Sequence, residues 1–179
     1  MGSDWLHMQG AFAQAELALE MGEVPVGCVF VDQASNSVIA VGHNKTNKAC
    51  NATQHAEIIA LQSCGDLPFP NNVSVYVTLE PCIMCAAALS IAGVHTVVFG
   101  AGNDKFGGCG SVLDVCQSFP GEAGLREFPV MRTGLGSVQA IELLQRFYLR
   151  TNDKAPVPRL DGMKERVAKR HQNVHNNNS

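Results

Sequence analysis

Two short segments limit how this chain can fold more than any other feature of its sequence. The first is His55-Ala56-Glu57, and the second, Pro81-Cys82-Ile83-Met84-Cys85, begins 24 residues after Glu57. Each segment opens a predicted helix, and the second also follows a predicted strand. Cys82 and Cys85 are three residues apart at a helix start, so their side chains share one face of that helix. If both segments bind one metal ion, the two helix starts must lie together in the fold.

The residues of these segments suit a catalytic zinc site. Cys82 and Cys85 supply two thiolates, which the positive end of a helix helps to keep ionised, and His55 supplies a neutral imidazole. Three protein ligands leave the fourth tetrahedral position for water, whereas a structural zinc site has a fourth protein ligand. The candidates for such a fourth ligand, none of which has paired spacing, are Cys28, His43, Cys50 and Cys109.

Glu57 is the predicted acid/base residue of this site. It lies two positions after His55 and therefore leaves the helix in a different direction, towards water at the metal rather than the metal itself. A carboxylate in that position is a natural proton carrier. A lone Cys-x-x-Cys or a lone His-x-Glu is a weak signal, because buried cysteines often serve as small hydrophobic residues. The joint pattern is the one that zinc deaminases share.

Strands and helices alternate along the rest of the chain. The predicted helices are 4–21, 55–64, 81–91 and 137–148, the predicted strands are 26–31, 37–42, 73–79 and 95–99, and a glycine-rich loop spans 100–111. Alternation after residue 55 predicts parallel strands with helices covering the sheet. The first two strands form a predicted hairpin, which makes the sheet mixed.

Composition and cysteine content narrow the class of protein. The chain has 179 residues, 46% hydrophobic and 16% charged, which is a globular composition with enough length for its own core. No apolar run approaches the roughly 20 residues of a membrane span, so we expect no membrane contact, and the start of the chain does not resemble a secretion signal. The odd number of cysteines, seven, favours a reducing intracellular compartment, the nucleus or the cytoplasm, over a disulfide framework.

Charge is divided unevenly along the chain. Residues 151–179 hold six Lys or Arg and three Asp or Glu, a formal charge of +3. Since the whole chain has a formal charge of −3, residues 1–150 carry −6. The last 29 residues also lack apolar periodicity. We therefore predict one domain at 1–150 and a basic C-terminal tail at 151–179. The asymmetry is typical of contact with a polyanion, although many basic tails are only solvated.

Several segments resemble the tRNA-specific adenosine deaminases. They are Glu23-Val24-Pro25-Val26-Gly27, Gly42-His43-Asn44, His55-Ala56-Glu57, Thr78-Leu79-Glu80-Pro81-Cys82-Ile83-Met84-Cys85-Ala86 and Phe106-Gly107-Gly108-Cys109-Gly110-Ser111. The resemblance covers about residues 8–150. Its Gly-Gly-Cys-Gly-Ser loop is most similar to the catalytic subunit of the eukaryotic heterodimeric enzyme. The resemblance implies a cytidine deaminase-like, three-layer α/β/α sandwich with a mixed central sheet.

The resemblance also implies roles for single residues. The implied Zn²⁺ ligands are His55, Cys82 and Cys85. Glu57 becomes the catalytic acid/base, and Asn44 and the backbone of Ala56 contact the target base, although an asparagine after a strand is also a common turn residue. The tail residues that loosely match a tRNA-holding element of the family are Lys164, Arg166, Lys169 and Arg170.

The implied reaction is hydrolytic deamination of adenosine to inosine at the wobble position of tRNA anticodons, with a related noncatalytic subunit as partner in a heterodimer. The zinc ligands alone do not determine which base is deaminated, so a deaminase of free cytidine, deoxycytidylate or guanine is one alternative. A noncatalytic, zinc-containing tRNA-binding subunit is another. The family's noncatalytic subunit lacks the acidic residue at the position of Glu57, so its presence here favours the catalytic role.

Overall fold

The structure, a computed structural model, describes residues 2–150 apart from 66, 70, 71, 120, 127 and 129. Its helices are α1 (Gly2–Glu20), α2 (Thr46–Ala49), α3 (Ala56–Ser63), α4 (Ile83–Ile91), α5 (Val115–Ser118) and α6 (Ser137–Tyr148), with a 3₁₀ turn at Glu122–Gly124. Its strands are β1 (Gly27–Asp32), β2 (Ser37–His43), β3 (Val73–Leu79), β4 (Thr96–Ala101) and β5 (Val130–Thr133). The predicted tail, 151–179, lies outside the described residues.

The central sheet has the strand order β2-β1-β3-β4-β5. β1 pairs antiparallel with both β2 and β3, whereas β3 with β4 and β4 with β5 pair parallel. The parallel half follows from the helices that connect successive strands, since a parallel pair needs a crossover connection. The mixed sheet and the parallel pairing predicted from strand–helix alternation are confirmed.

Helices cover both faces of the sheet. α1 and α6 pack on one face around a cluster that contains Phe12 and Tyr76, and α3 and α4 pack on the other around a cluster that contains Phe30 and Leu89. The hydroxyl of Tyr76 donates to Asp4 of α1 at 2.5 Å, and burial together with this hydrogen bond raises the pKa of Tyr76 to about 12. The arrangement is the predicted three-layer α/β/α sandwich.

The start of α4 differs from its prediction. Pro81 was expected to open the helix, but the helix begins at Ile83 and Cys82 is its extended N-cap residue, with φ −67° and ψ 168°. Cys82 also forms an isolated β-bridge with Gly107, far away in the sequence. That contact keeps the segment before the helix extended. None of the helices in the described part of the chain has both the length and the apolar character that a bilayer span requires.

A glycine allows α3 to approach the sheet closely. A Cβ atom at Gly42 of β2 would lie 2.1 Å from the carbonyl oxygen of Ala56, the first residue of α3. Any larger residue would therefore push the first turn of α3 away from β2. Since Asn44 follows β2 and His55 precedes α3, this contact brings those two residues to the same place.

Candidate active site

Three side chains with metal-binding atoms meet where the N-termini of α3 and α4 lie together. His55 is the N-cap residue of α3, Cys82 is the N-cap residue of α4, and Cys85 lies in the first turn of α4. The Nδ1 atom of His55 lies 3.5 Å from Sγ of Cys82 and 3.6 Å from Sγ of Cys85, and all three atoms lie within 4.8 Å of one another.

These distances fit a tetrahedral zinc ion. Zn–S bonds of about 2.3 Å and Zn–N bonds of about 2.0–2.1 Å place a sulfur and a nitrogen ligand about 3.6 Å apart. One imidazole and two thiol groups are also a donor set that zinc prefers. Within the described residues, none of the four candidates for a fourth ligand joins this group. The site can therefore hold Zn²⁺ with three protein ligands.

The local hydrogen bonds prepare Cys82 as a thiolate. A hydrogen bond from the Cys85 thiol, supported by hydrogen bonds from His55 and from the Cys85 backbone N–H, lowers the pKa of Cys82 to about 4, against burial, which raises it. Because it donates to Cys82 and is buried, the Cys85 thiol has a raised pKa. The hydrogen bond to Cys82 also raises the pKa of His55. Negative charge is thus concentrated on the sulfur at the helix N-terminus.

Glu57 lies beside the three ligands and is only 3% exposed. Burial raises its pKa, and the nearby charge of Cys82 adds to the rise, whereas a hydrogen bond from its own backbone N–H and the nearby charge of His55 lower it. A carboxyl group with a raised pKa both accepts and releases a proton more readily near neutral pH. The structure therefore places the predicted acid/base residue next to the metal-binding group and not among its ligands.

Asn44 and Ala56 are in direct contact. The side-chain Oδ1 of Asn44 accepts a hydrogen bond from the backbone N–H of Ala56 at 2.9 Å, and the backbone N–H of Asn44 donates to the carbonyl of Val26 at 3.2 Å. Both residues are buried. The structure thus brings the two predicted base-contacting residues together beside His55, and their contact with a base remains a prediction.

Comparison with known proteins agrees with this geometry. The family described as "Cytidine and deoxycytidylate deaminase zinc-binding region" matches residues 1–101. Over 162 residues the chain is 42% identical to tRNA-specific adenosine deaminase 2 of Xenopus tropicalis, covering 86% of this chain and 92% of that protein. The chain belongs to the tRNA-specific adenosine deaminase family.

Two further family relatives extend the comparison. The tRNA-specific adenosine deaminase subunit tad2 of Schizosaccharomyces pombe is 40% identical over 168 residues, covering 92% of this chain and 41% of that protein. A solved structure from a study of A-to-I editing by tRNA:A34 deaminases superposes with a TM-score of 0.67 at 35% identity, covering 77% of this chain and 98% of that one. The superposition confirms the deaminase fold, and the family confirms zinc as the expected metal.

This deaminase contains a second buried carboxylate, whose role the sequence pattern does not indicate. Glu80 is 2% exposed; its Oε2 accepts from the backbone N–H of Asn103 at 2.8 Å, and its Oε1 accepts from those of Cys109 and Ser111 at 3.0 Å each. Burial alone would raise its pKa, but these hydrogen bonds and one from the Ser111 hydroxyl lower it overall. Glu80 therefore anchors, as an ionised group, both ends of residues 103–111, a part of the predicted glycine-rich loop that lies beyond β4.

The glycine-rich loop lies directly against the ligand segment. The backbone N–H of Ile83 donates to the carbonyl of Phe106 at 3.0 Å, and the N–H of Gly108 donates to the carbonyl of Pro81 at 2.8 Å. A Cβ atom at Gly107 would lie 2.5 Å from an oxygen of the Glu80 carboxylate, so only glycine leaves room for the anchor. The loop is thus part of the site's wall.

A third buried carboxylate, Glu23, anchors the segment on the other side of the site. It accepts from the hydroxyl of Thr46 at 3.1 Å and from the backbone N–H groups of Asn47 at 3.0 Å and Lys48 at 2.7 Å, all in α2 just after Asn44. In the sequence, Glu23 and Glu80 are marked only as acidic residues within an apolar run next to or near a proline. Neither residue could be assigned from that signal alone.

The cysteines outside the zinc-ligand group differ in burial. Cys28 and Cys116 are buried, Cys64 is partly buried and Cys50 is exposed. The Nδ1 atom of His43 lies 3.0 Å from Oε1 of Gln14 in α1, on the face of the sheet opposite to α3. These residues therefore lie outside the metal-binding group.

Proposed function

We propose that this chain is the catalytic subunit of an enzyme that deaminates adenosine to inosine at the wobble position of tRNA anticodons. The observation that carries the proposal is the buried carboxyl group of Glu57 beside the zinc-ligand group of His55, Cys82 and Cys85. Relatives named tRNA-specific adenosine deaminase match most of the chain and support the choice of substrate. Anticodon loops are single-stranded, so a base can leave the stack at low cost.

Each step of the reaction follows from a group at the site. Bound zinc supplies the Lewis acidity that makes water a nucleophile near neutral pH. Glu57 accepts the proton that the water releases as its oxygen attacks C6 of adenine, and delivers that proton to N1. A second proton passes through Glu57 to the leaving amino group. Water and adenosine thus give inosine and ammonia, and the burial of Glu57 favours its protonated form between the two transfers.

The Asn44–Ala56 pair orients the base. Because Oδ1 of Asn44 accepts the N–H of Ala56, the side-chain NH₂ group of Asn44 is the donor directed elsewhere, and it would bind an acceptor nitrogen of the base. Ala56 is the first residue of α3, so this contact is set by the same helix start that carries His55. The base and the metal are thereby positioned by one element.

The experiment that tests the function compares substrates. The zinc-loaded protein, purified from its own cells with any bound subunit, is incubated with tRNA, cytidine, deoxycytidylate and guanine, and the products are identified by mass spectrometry. Inosine at the wobble position, produced by the native enzyme and absent with Glu57→Gln, is expected. The exposed carboxylate variant Glu16→Gln is the matched control and should stay active. Conversion of a free base or nucleotide with tRNA left unchanged would overturn the proposal.

We also propose a related noncatalytic chain as partner. α4 contains no charged residue, and its exposed Ile83 and Ile91, with the partly buried Ala87 between them, lie along one side of the helix. Such an apolar stripe beside the site is typical of a protein interface. The relative from Schizosaccharomyces pombe is itself named a subunit. Native mass spectrometry of the purified enzyme tests this, and a fully active single chain would contradict it.

The proposed compartment is the nucleus or the cytoplasm. tRNA is available in both, and the odd number of cysteines, seven, favours a reducing compartment over a disulfide framework. Imaging of the tagged chain in its own cells tests the proposal, and accumulation in an oxidising compartment would contradict it.

A further inference from the structure

Phe106 is an exposed aromatic residue that directly precedes a buried segment. It is 64% exposed, whereas the three residues that follow, 107–109, are buried. Single exposed apolar side chains are common on protein surfaces. Exposure alone therefore says little about Phe106, and its backbone contacts and position decide what the ring can do.

The backbone on both sides of Phe106 is held in place. Its N–H donates to Oδ1 of Asn103 at 3.2 Å, and its carbonyl accepts from the N–H of Ile83 at 3.0 Å. Glu80 fixes the backbone of Asn103 before the ring and that of Cys109 after it. The backbone that carries the ring is thus held at a defined place, so a ligand that packs on the ring need not order the loop first.

That place is beside the metal ligands. Ile83, which binds the carbonyl of Phe106, directly follows the ligand Cys82, and Gly107 forms a β-bridge with Cys82 itself. An RNA strand whose adenosine occupies the site continues in both directions from that nucleotide. Phe106 lies at a rim of the site that one of the two neighbouring nucleotides can reach.

We propose that Phe106 stacks on a nucleobase adjacent to the edited adenosine. The inference rests on the proposed function, because it presupposes a single-stranded RNA substrate. Unstacked bases of such a strand bind the faces of aromatic side chains. The two residues before the ring, Asp104 and Lys105, are exposed and of opposite charge, so the tip neither repels RNA nor extends as an apolar protein interface.

The first experiment measures single-turnover deamination and RNA affinity with an anticodon stem-loop, using the zinc-loaded enzyme with its bound subunit. Phe106→Ala should lower kcat/KM by about 5- to 150-fold, the loss expected for one base–aromatic stack. Phe106→Tyr should retain most of the activity, and Phe106→Leu should lose most of it because it keeps apolarity without a ring. Tyr148→Ala, at an exposed aromatic residue on the opposite layer, is the matched control and should change nothing.

The second experiment replaces each nucleotide that flanks the adenosine, one at a time, by an abasic residue. With the native enzyme, one of these replacements should lower kcat/KM about as much as Phe106→Ala does. Combining the two changes should then cost little more than either alone, because both remove the same stack. Zinc content and melting temperature of the Phe106 variants should equal those of the native enzyme.

Three results would overturn the inference. The first is an unchanged kcat/KM with Phe106→Ala, and the second is a loss from Phe106→Ala that adds fully to the loss from an abasic residue at either flanking position. The third is loss of zinc or of the bound subunit from the Phe106→Ala enzyme, which would assign the ring to the fold or to a protein contact. Failure of the native enzyme to deaminate any RNA is a separate result. It would overturn the proposed function, and it is recognised without any variant.

Discussion

Replacing Glu80 by glutamine should loosen the glycine-rich loop while keeping the side chain's shape. In the native protein, Oε1 of Glu80 accepts two backbone N–H groups and Oε2 accepts one. A glutamine amide has only one oxygen. Of the two orientations of this amide, the better one keeps the oxygen on the N–H groups of Cys109 and Ser111, because it preserves two hydrogen bonds. The NH₂ group then points towards the N–H of Asn103, so two donors face each other.

The size of the effect follows from these contacts. A hydrogen bond to a charged group contributes about 1.5–3 kcal/mol, and a buried donor left without an acceptor costs about 1–3 kcal/mol. Among the backbone hydrogen bonds, Glu80→Gln loses the charge on the two that are retained and the whole of the third. We therefore expect the free energy of unfolding of the zinc-loaded protein to fall by about 2–4 kcal/mol.

Urea denaturation of the zinc-loaded protein measures this fall, and hydrogen exchange of peptides from residues 103–111 localises it. Exchange should accelerate there and stay unchanged in α1 and α6. Glu16→Gln is the control, because the ion pair of Glu16 with Arg146 is exposed and contributes about 0–1 kcal/mol. A Glu80→Gln protein within about 0.5 kcal/mol of the native one, with unchanged exchange in the loop, would refute the anchoring role.

Four further predictions test other parts of the molecule. Glu57→Gln should keep one zinc per chain by metal analysis and lower the single-turnover rate by about 10²–10⁴-fold; an unchanged rate would exclude Glu57 as the acid/base. Gly42→Ala should push α3 off the sheet and weaken zinc binding in a chelator competition, whereas Gly65→Ala, with nothing within 4 Å of its Cβ, should not. Equal zinc affinity of the two variants would contradict the close contact. The pKa of Tyr76 is raised from 10.0 to about 12, so the folded state keeps a proton that the unfolded state loses. The free energy of unfolding should therefore fall by about 1–3 kcal/mol between pH 10 and 12. Urea denaturation at each pH should show a smaller fall with Tyr76→Phe, and an equal fall in the two proteins would disprove the shift. Removal of residues 164–179 should flatten the salt dependence of tRNA binding, and an unchanged slope would show that the tail's charges are only solvated.

The elements that could be predicted are those whose pattern is contained in their own residues. β3 and α6 have the predicted bounds, because each shows a clear apolar period over its whole length. β5 was not predicted, since its four residues are too few to show a period and it exists through pairing with β4. α2 and α5, also four residues each, were missed for the same reason. Short elements depend on distant contacts that a local pattern does not contain.

The site divides in the same way. The grouping of His55, Cys82 and Cys85 was predictable, because metal binding requires particular side chains and their spacing is visible in the sequence. The anchors Glu23 and Glu80 were not, because their partners are mostly backbone N–H groups, which leave no mark on the sequence. What the sequence omits is therefore the support of the site rather than its chemistry.

An anchor that binds backbone groups has a consequence for how this enzyme can change over evolution. Every residue except proline offers the N–H that Glu80 needs, so the loop keeps its shape whichever side chains occupy its exposed tip, residues 104–106. The glycines behind the tip are bound to their identity: a Cβ atom would lie 2.5 Å from the Glu80 carboxylate at Gly107 and 2.7 Å from the Cα of Ile83 at Gly108, and Gly110 has a φ of +124°. Shape and recognition are thereby encoded by different residues. New substrate preferences can arise by exchange of the tip alone, with no cost to the catalytic frame beneath it.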